Sequence, residues 1–168
     1  MKKLLLFLFA ALLTFVASAH DFGVEGIYYN ITSSTTVEVT CQGDRYDSYS
    51  NEYTGAVIIP ATVTHNGVAY SVKSIGYDAF CECSSLERIT IPEGVTSIEG
   101  AAFYGCSSLT TITIPEGVTS IGGRAFCKCE NLTSITISEG VTSIGEYAFY
   151  NCSSLTSITL PASVTSIG

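Results

Sequence analysis

AAFYGCSSLTTITIPEGVTSIGG, residues 101–123, is followed at once by RAFCKCENLTSITISEGVTSIGE, residues 124–146. The same spacing runs from Ile75 to Gly168 as four copies of a 23-residue unit. Phe80, Phe103, Phe126 and Phe149 recur at that interval, as do Leu86, Leu109, Leu132 and Leu155, and Ile75, Ile98, Ile121, Ile144 and Ile167. A period of about 20–50 residues marks a stack of like coils, because one unit alone cannot bury its apolar side. Each coil then touches only its neighbours, and the product is a rod with long ribbon-like faces. Such a shape suits binding better than catalysis.

Within one unit, Ala102, Phe103, Cys106 and Leu109 are apolar or small at the spacing of a short helical turn facing inward. Ile112-Thr-Ile114 alternates as a strand does, with the isoleucines in and Thr111 and Thr113 out. Ile114-Pro-Glu-Gly117 offers a type I turn, and Val118-Thr-Ser-Ile121 a second extended piece. Gly122 is expected to permit the corner into the next coil. Stacked in register, phenylalanines, leucines and isoleucines form internal columns, and each strand is expected to pair with those above and below. The fold class is therefore an α+β repeat solenoid, a right-handed stack with one parallel strand and short helical turns per coil.

The chain opens as a secretory signal does. Lys2 and Lys3 precede an apolar run from Leu4 to Val16, and Ala17-Ser-Ala19 is an A-x-A cleavage site. An apolar run of this length falls short of the roughly 20 residues that span a membrane, so residues 1–19 are expected to be removed with no membrane insertion afterwards. The remainder carries five basic against fifteen acidic residues. Nucleic acid and anionic lipid need clustered Lys and Arg, so both are excluded as partners. Residues 20–74 read as a β-rich N-terminal cap with a two-residue hairpin turn at Asn66-Gly67, and residues 75–168 as the four repeats. The last repeat stops at Val164-Thr-Ser-Ile-Gly168 with no following Ala-Phe pair, so it reads as truncated.

All seven cysteines follow residue 19. Cys83, Cys106, Cys129 and Cys152 share one repeat position. Stacked coils place their Cβ atoms about 4.8 Å apart, whereas a disulfide wants about 3.8 Å. Buried free thiols are expected, behaving as small hydrophobes. Cys81-Glu-Cys83 and Cys127-Lys-Cys129 lack the second ligand pair of a zinc site, and no metal or other cofactor is expected. His20 and His65 have neither a nucleophile nor a carboxylate at interpretable spacing, so the chain is not expected to be an enzyme and no catalytic residue is assigned.

Ala102-Phe103, Cys106, Leu109, Ile112, Ile114-Pro115, Val118 and Ile121-Gly122 form a pattern that resembles the BspA-like branch of leucine-rich repeat proteins. Glu99, Ser138 and Leu160 are its small departures in neighbouring copies. Val57-Ile-Ile-Pro60, Asn66-Gly67 and Val72-Lys-Ser-Ile-Gly76 look like that family's cap. The resemblance is strong over residues 55–168 and loose over 22–54. It implies an exported or cell-surface protein, adhesin-like, recognising host matrix or microbial proteins. It brings no catalytic motif.

Three exposed ladders could act. The first is the strand face, with Arg88/Thr90, Thr111/Thr113, Ser134/Thr136 and Ser157/Thr159 as the candidate binding residues. Threonine also simply suits exposed strand positions. The second is Glu93, Glu116 and Glu139 at the turns, and the third the Thr96/Ser97, Thr119/Ser120, Thr142/Ser143 and Thr165/Ser166 pairs. Tyr104 and Tyr150 are candidate aromatic contacts, with Tyr77 and Tyr147 nearby and a Tyr-rich loop at Tyr46, Tyr49 and Tyr53. A structural spacer without a ligand of its own is the alternative to a binding protein.

Overall fold

The structure, a computed structural model, describes residues 20–43 and 52–168. The expected signal segment, Tyr46 and Tyr49 lie outside the described residues. Six strands precede the repeats: β1 (Phe22–Val24), β2 (Ile27–Ile31), β3 (Thr36–Thr40), β4 (Gly55–Ile58), β5 (Thr62–His65) and β6 (Val68–Ile75). The repeats add β7 (Leu86–Thr90), β8 (Ser97–Ile98), β9 (Thr111–Ile114), β10 (Ser120–Ile121), β11 (Ser134–Ile137), β12 (Ser143–Ile144) and β13 (Ser166–Ile167).

The Val-Thr-Ser-Ile segments build the spine. β8, β10, β12 and β13 pair in parallel at intervals of one repeat, Ser120 with Ser97 and Ser143, and Ile121 with Ile98 and Ile144. β6 joins them through Ile75 and Ile98, and β3, β2 and β1 extend the same sheet. β5 and β6 form a hairpin across Asn66 (φ 50°) and Gly67 (φ 79°), the pair of positive φ angles that a type I′ turn requires. The threonine of each unit reinforces the spine. Thr96, Thr119, Thr142 and Thr165 donate their hydroxyls to the carbonyls of Lys73, Thr96, Thr119 and Thr142 in the coil before. These threonines therefore hold coils together, and what remains on the surface is their methyl side.

The core is the set of columns that the period demands. Phe80, Phe103 and Phe126 are fully buried, with ring centroids 5.1 Å apart at each step and planes within 5° of parallel. Phe149 continues the stack at 5.6 Å and is only partly covered. Tyr53 heads it, 4.6 Å from Phe80 and buried. Its hydroxyl donates to Thr40 O at 2.7 Å and accepts from Tyr28 N at 3.1 Å. The expectation that Tyr53 offers a contact surface is thus corrected: its ring closes the core and its hydroxyl is used up inside.

No helix is assigned among the described residues, so the short helical turns and the α+β label are not confirmed, while the repeat solenoid with parallel strands is seen. Residues 76–83 and their repeats instead form consecutive turns. Asp78, Arg124 and Tyr147 sit at φ near 55–58°, with Ala101 at 53°, and Glu82 and Lys128 at 55° and 61°. A left-handed residue breaks a helix, because the next N–H no longer points back along the axis. Every second N–H crosses to the neighbouring coil: Asp78, Phe80 and Glu82 donate to the carbonyls of Gly100, Ala102 and Tyr104. This side of the stack is a third ladder.

Cys106, Cys129 and Cys152 are buried free thiols, as is Cys83. Each of the first three donates its S–H at 3.1 Å to the carbonyl of Phe80, Phe103 or Phe126, one coil back. Burial raises the Cys83 and Cys152 thiols from 9.0 to about 11, and Cys106 and Cys129 go up for the same reason. At a pKa of about 11, the thiolate fraction near neutral pH is about 100-fold below that of an ordinary thiol. Iodoacetamide at pH 7.5 should therefore modify half-exposed Cys41 first and spare the column until the protein is unfolded; mass spectrometry reads the order. The same raised values stabilise the fold fully below the ordinary thiol pKa. That contribution is lost as pH climbs through 9 towards 11.

Candidate functional site

The strand face is built by outward positions on both sides of the buried isoleucines. Arg88 and Thr90 on β7, Thr111 and Thr113 on β9, and Ser134 and Thr136 on β11 are all exposed, while Ile89, Ile112 and Ile135 between them are buried. β9 and β11 are zipped residue for residue, Thr111 with Ser134 and Thr113 with Thr136. Ser157 and Thr159 are exposed in the same rows but belong to no assigned strand, so the last unit of the face does not pair as expected.

The face starts earlier than the repeats suggested. β4 pairs with β7, Ala56 with Arg88 and Ile58 with Thr90, and Ile58 is 73% exposed. An apolar residue thus heads the outer hydroxyl row. The signal was present in the Ile59-Pro60 match to Ile91-Pro92, which puts Ile58 in register with Thr90.

The expected continuous ladder is interrupted between β7 and β9 as well as ending at β11. β4–β7 and β9–β11 are separate sheets, with no ladder joining β7 to β9. The cause lies one strand back, where Gly55 pairs with Leu86 but Ala56 pairs with Arg88, leaving Glu87 as an extra residue. Such a bulge bends the strand and increases its local twist. Thr133 N and Oγ1 both reach Thr110 O between the following two coils, closing the ladder there. The result at β7 and β9 is a cleft of about 320 Å³ flanked by Arg88 and Thr90 on one side and Thr111 and Thr113 on the other. Arg88 and Glu93 both line it, so the cleft offers hydrogen-bonding groups and one charge of each sign.

The aromatic candidates occupy the turn side. Tyr150 is 56% exposed and meets Tyr147 edge-on at 5.9 Å, whereas Tyr104 is only half-exposed and carries the Lys128 ammonium 4.9 Å from its ring centroid. Arg124 lies 5.7 Å over Tyr147. The structure therefore puts the two tyrosines in a charged surround of Arg124 and Lys128 that the repeat pattern had not singled out. It does not bring them to the strand face.

The BspA type leucine rich repeat region matches residues 59–168 in six copies. The chain belongs to that family. Three solved structures show what it is similar to. A T. pallidum leucine rich repeat protein, TpLRR, aligns over 88% of this chain and 81% of its own, at 23% identity and a TM-score of 0.66. The pneumococcal vaccine antigen PcpA aligns over 88% of this chain and 45% of its own, at 21% identity and a TM-score of 0.62. A Bacteroides ovatus leucine-rich repeat protein is 30% identical over 88% of this chain and 49% of its own, at a TM-score of 0.47. No curated protein matches the chain. The six matched BspA type copies reach back into β5 and β6, which agrees with a repeat register that begins before Ile75.

Proposed function

We propose that this BspA type protein is a secreted or cell-surface binding protein, adhesin-like, that recognises host-matrix or microbial proteins across several coils of its strand face. The observation that carries this reading is the row structure of that face. Ala56/Ile58, Arg88/Thr90, Thr111/Thr113 and Ser134/Thr136 are exposed side by side, in contrast to the Thr96 column, whose hydroxyls bond between coils. A row of outward hydroxyls on paired strands presents donors and acceptors on a rigid support, with Ile58 and Arg88 as anchors of the kind that dominate protein interfaces. The similarity to a pneumococcal vaccine antigen is compatible with display outside the cell.

The test is a binding screen of residues 20–168 against immobilised matrix proteins, plasma proteins and microbial surface extracts. Thr113→Arg with Thr136→Arg should weaken any response by about tenfold or more, because two added charges obstruct a row without touching the core. The melting temperature should stay unchanged. A ligand response indifferent to this double variant would move the interface elsewhere. No response across the whole panel would favour the spacer reading.

A further inference from the structure

We infer that the turn side carries a separate binding groove, built for a neutral sugar ring, between Tyr77, Asp78 and Glu82 of the first coil and Arg124 of the third. It shares no residue with the strand face and does not rest on the function proposed for that face. The groove exists because the second coil is stripped of side chains where its neighbours carry them. Asp78, Ala101 and Arg124 occupy one repeat position, and Glu82, Gly105 and Lys128 another. Coils stack about 4.8 Å apart, so losing one coil's side chains opens a gap between the coils on either side; Glu82 leans into it until its carboxylate lies 2.8 Å from where a Gly105 Cβ would be. The cleft there is about 260 Å³ and is lined also by Cys81, Ala101 and Tyr104.

Asp78, Glu82, Arg124 and Lys128 all sit at φ between 55° and 61°, a region that disfavours side chains with a Cβ by about 1 kcal/mol each. Glycine or asparagine would be easier there, and the molecule uses both at the same position, Gly105 (φ 71°) and Asn151 (φ 59°). Tyr77 lines the groove as well. It is 68% exposed, yet its ring packs on Gly100 so closely that a Cβ there would lie 2.8 Å from Cε2. Its Cδ2–Cε2 side lies against Gly100 while most of the ring stays exposed.

The ligand class follows from the two walls. The Asp78 and Glu82 carboxylates and the Arg124 guanidinium line one cleft, so neither a net anion nor a net cation is favoured by all of them. A neutral polyhydroxyl suits both kinds of group, since each hydroxyl can donate to a carboxylate and accept from a guanidinium. The apolar C–H face of a pyranose fits against the Tyr77 ring, which supplies apolar area with little entropy to lose. A small cleft with a few convergent polar groups and an aromatic wall is the ordinary form of a small-molecule site.

The experiment is heteronuclear NMR on residues 20–168, titrated with the methyl glycosides of glucose, galactose, mannose and N-acetylglucosamine and with their β-linked disaccharides. The expected result is saturable shifts at millimolar sugar, confined to Tyr77, Ala101, Tyr104 and Arg124. Ala101→Arg should weaken the affinity by about tenfold through filling the gap, while the fold persists because Arg124 already holds the same repeat position at φ 57°. Arg124→Ala should weaken it comparably and leaves the backbone at Ala101 untouched. Three results would each overturn the proposal: no saturable shift at these residues with any sugar, shifts that survive both variants, or shifts produced only by mixed-charge peptides such as Lys-Gly-Glu.

Discussion

Phe126→Ala should lower the unfolding free energy by about 3–5 kcal/mol, read by urea titration of the circular dichroism signal. Phe126 is wholly buried, and its ring lies between Phe103 at 5.1 Å and Phe149 at 5.6 Å. Deleting it removes contacts on both sides of the ring, and the coils cannot close the gap because their ladders fix the spacing. Phe126 N donates to Ala148 O, and Cys129 S–H donates to Phe103 O, so the surrounding backbone is pinned. Phe149→Ala should lose roughly half as much, since that ring is partly exposed already. A Phe126→Ala loss under about 1 kcal/mol would sink the stacked column.

Gly122→Ala is the second large effect, about 3 kcal/mol or more. Gly122 is not at positive φ, so the corner that the sequence suggested is not what requires glycine. Space requires it. A Cβ at this position would lie 2.5 Å from Gly100 N and 2.6 Å from Glu99 C, both backbone atoms of the adjoining coil. No rotamer relieves a clash with backbone, and Gly122 N is held 2.8 Å from Ile98 O by the hydrogen bond that joins those coils. Gly67→Ala is the control. Gly67 sits at φ 79° with nothing within 4 Å of a would-be Cβ, so the change costs about 1 kcal/mol from the backbone alone. If thermal melts rank the two variants in the opposite order, close coil approach at Gly122 is refuted.

The columns were legible because a repeat writes its geometry many times over. Phe80, Phe103 and Phe126 share one environment, and so do Thr113 and Thr136, so their burial and exposure follow from register alone. The turns were less legible for a chemical reason. Ala102, Phe103, Cys106 and Leu109 have helical spacing, and nothing in Asp78, Glu82, Arg124 or Lys128 announces a left-handed residue as glycine or asparagine would. The backbone adopts it because alternate N–H groups find carbonyls in the next coil, a preference that exists only once coils are stacked. The break between β7 and β9 was hidden likewise. It arises from how β4 pairs with Leu86 and Arg88, and no pattern within one repeat encodes that pairing. Tyr53 lies outside the period altogether, so its place at the head of the phenylalanines had no counterpart to be read from. The tyrosines of the turn side were visible as residues, but their cationic neighbours become neighbours only across coils.

The split lies on one side of a stack that is held on its other two. Between the first and second coils the spine is tied by Ser97–Ser120 pairing, and on the turn side Asp78, Phe80 and Glu82 donate to Gly100, Ala102 and Tyr104, while no ladder joins β7 to β9. The outward hydroxyl rows therefore form two panels on a common support. A ligand that lies within Thr111, Thr113, Ser134 and Thr136 stays on one panel. One that also reaches Arg88 and Ile58 must span the gap between them, so its length decides which panels it can use together.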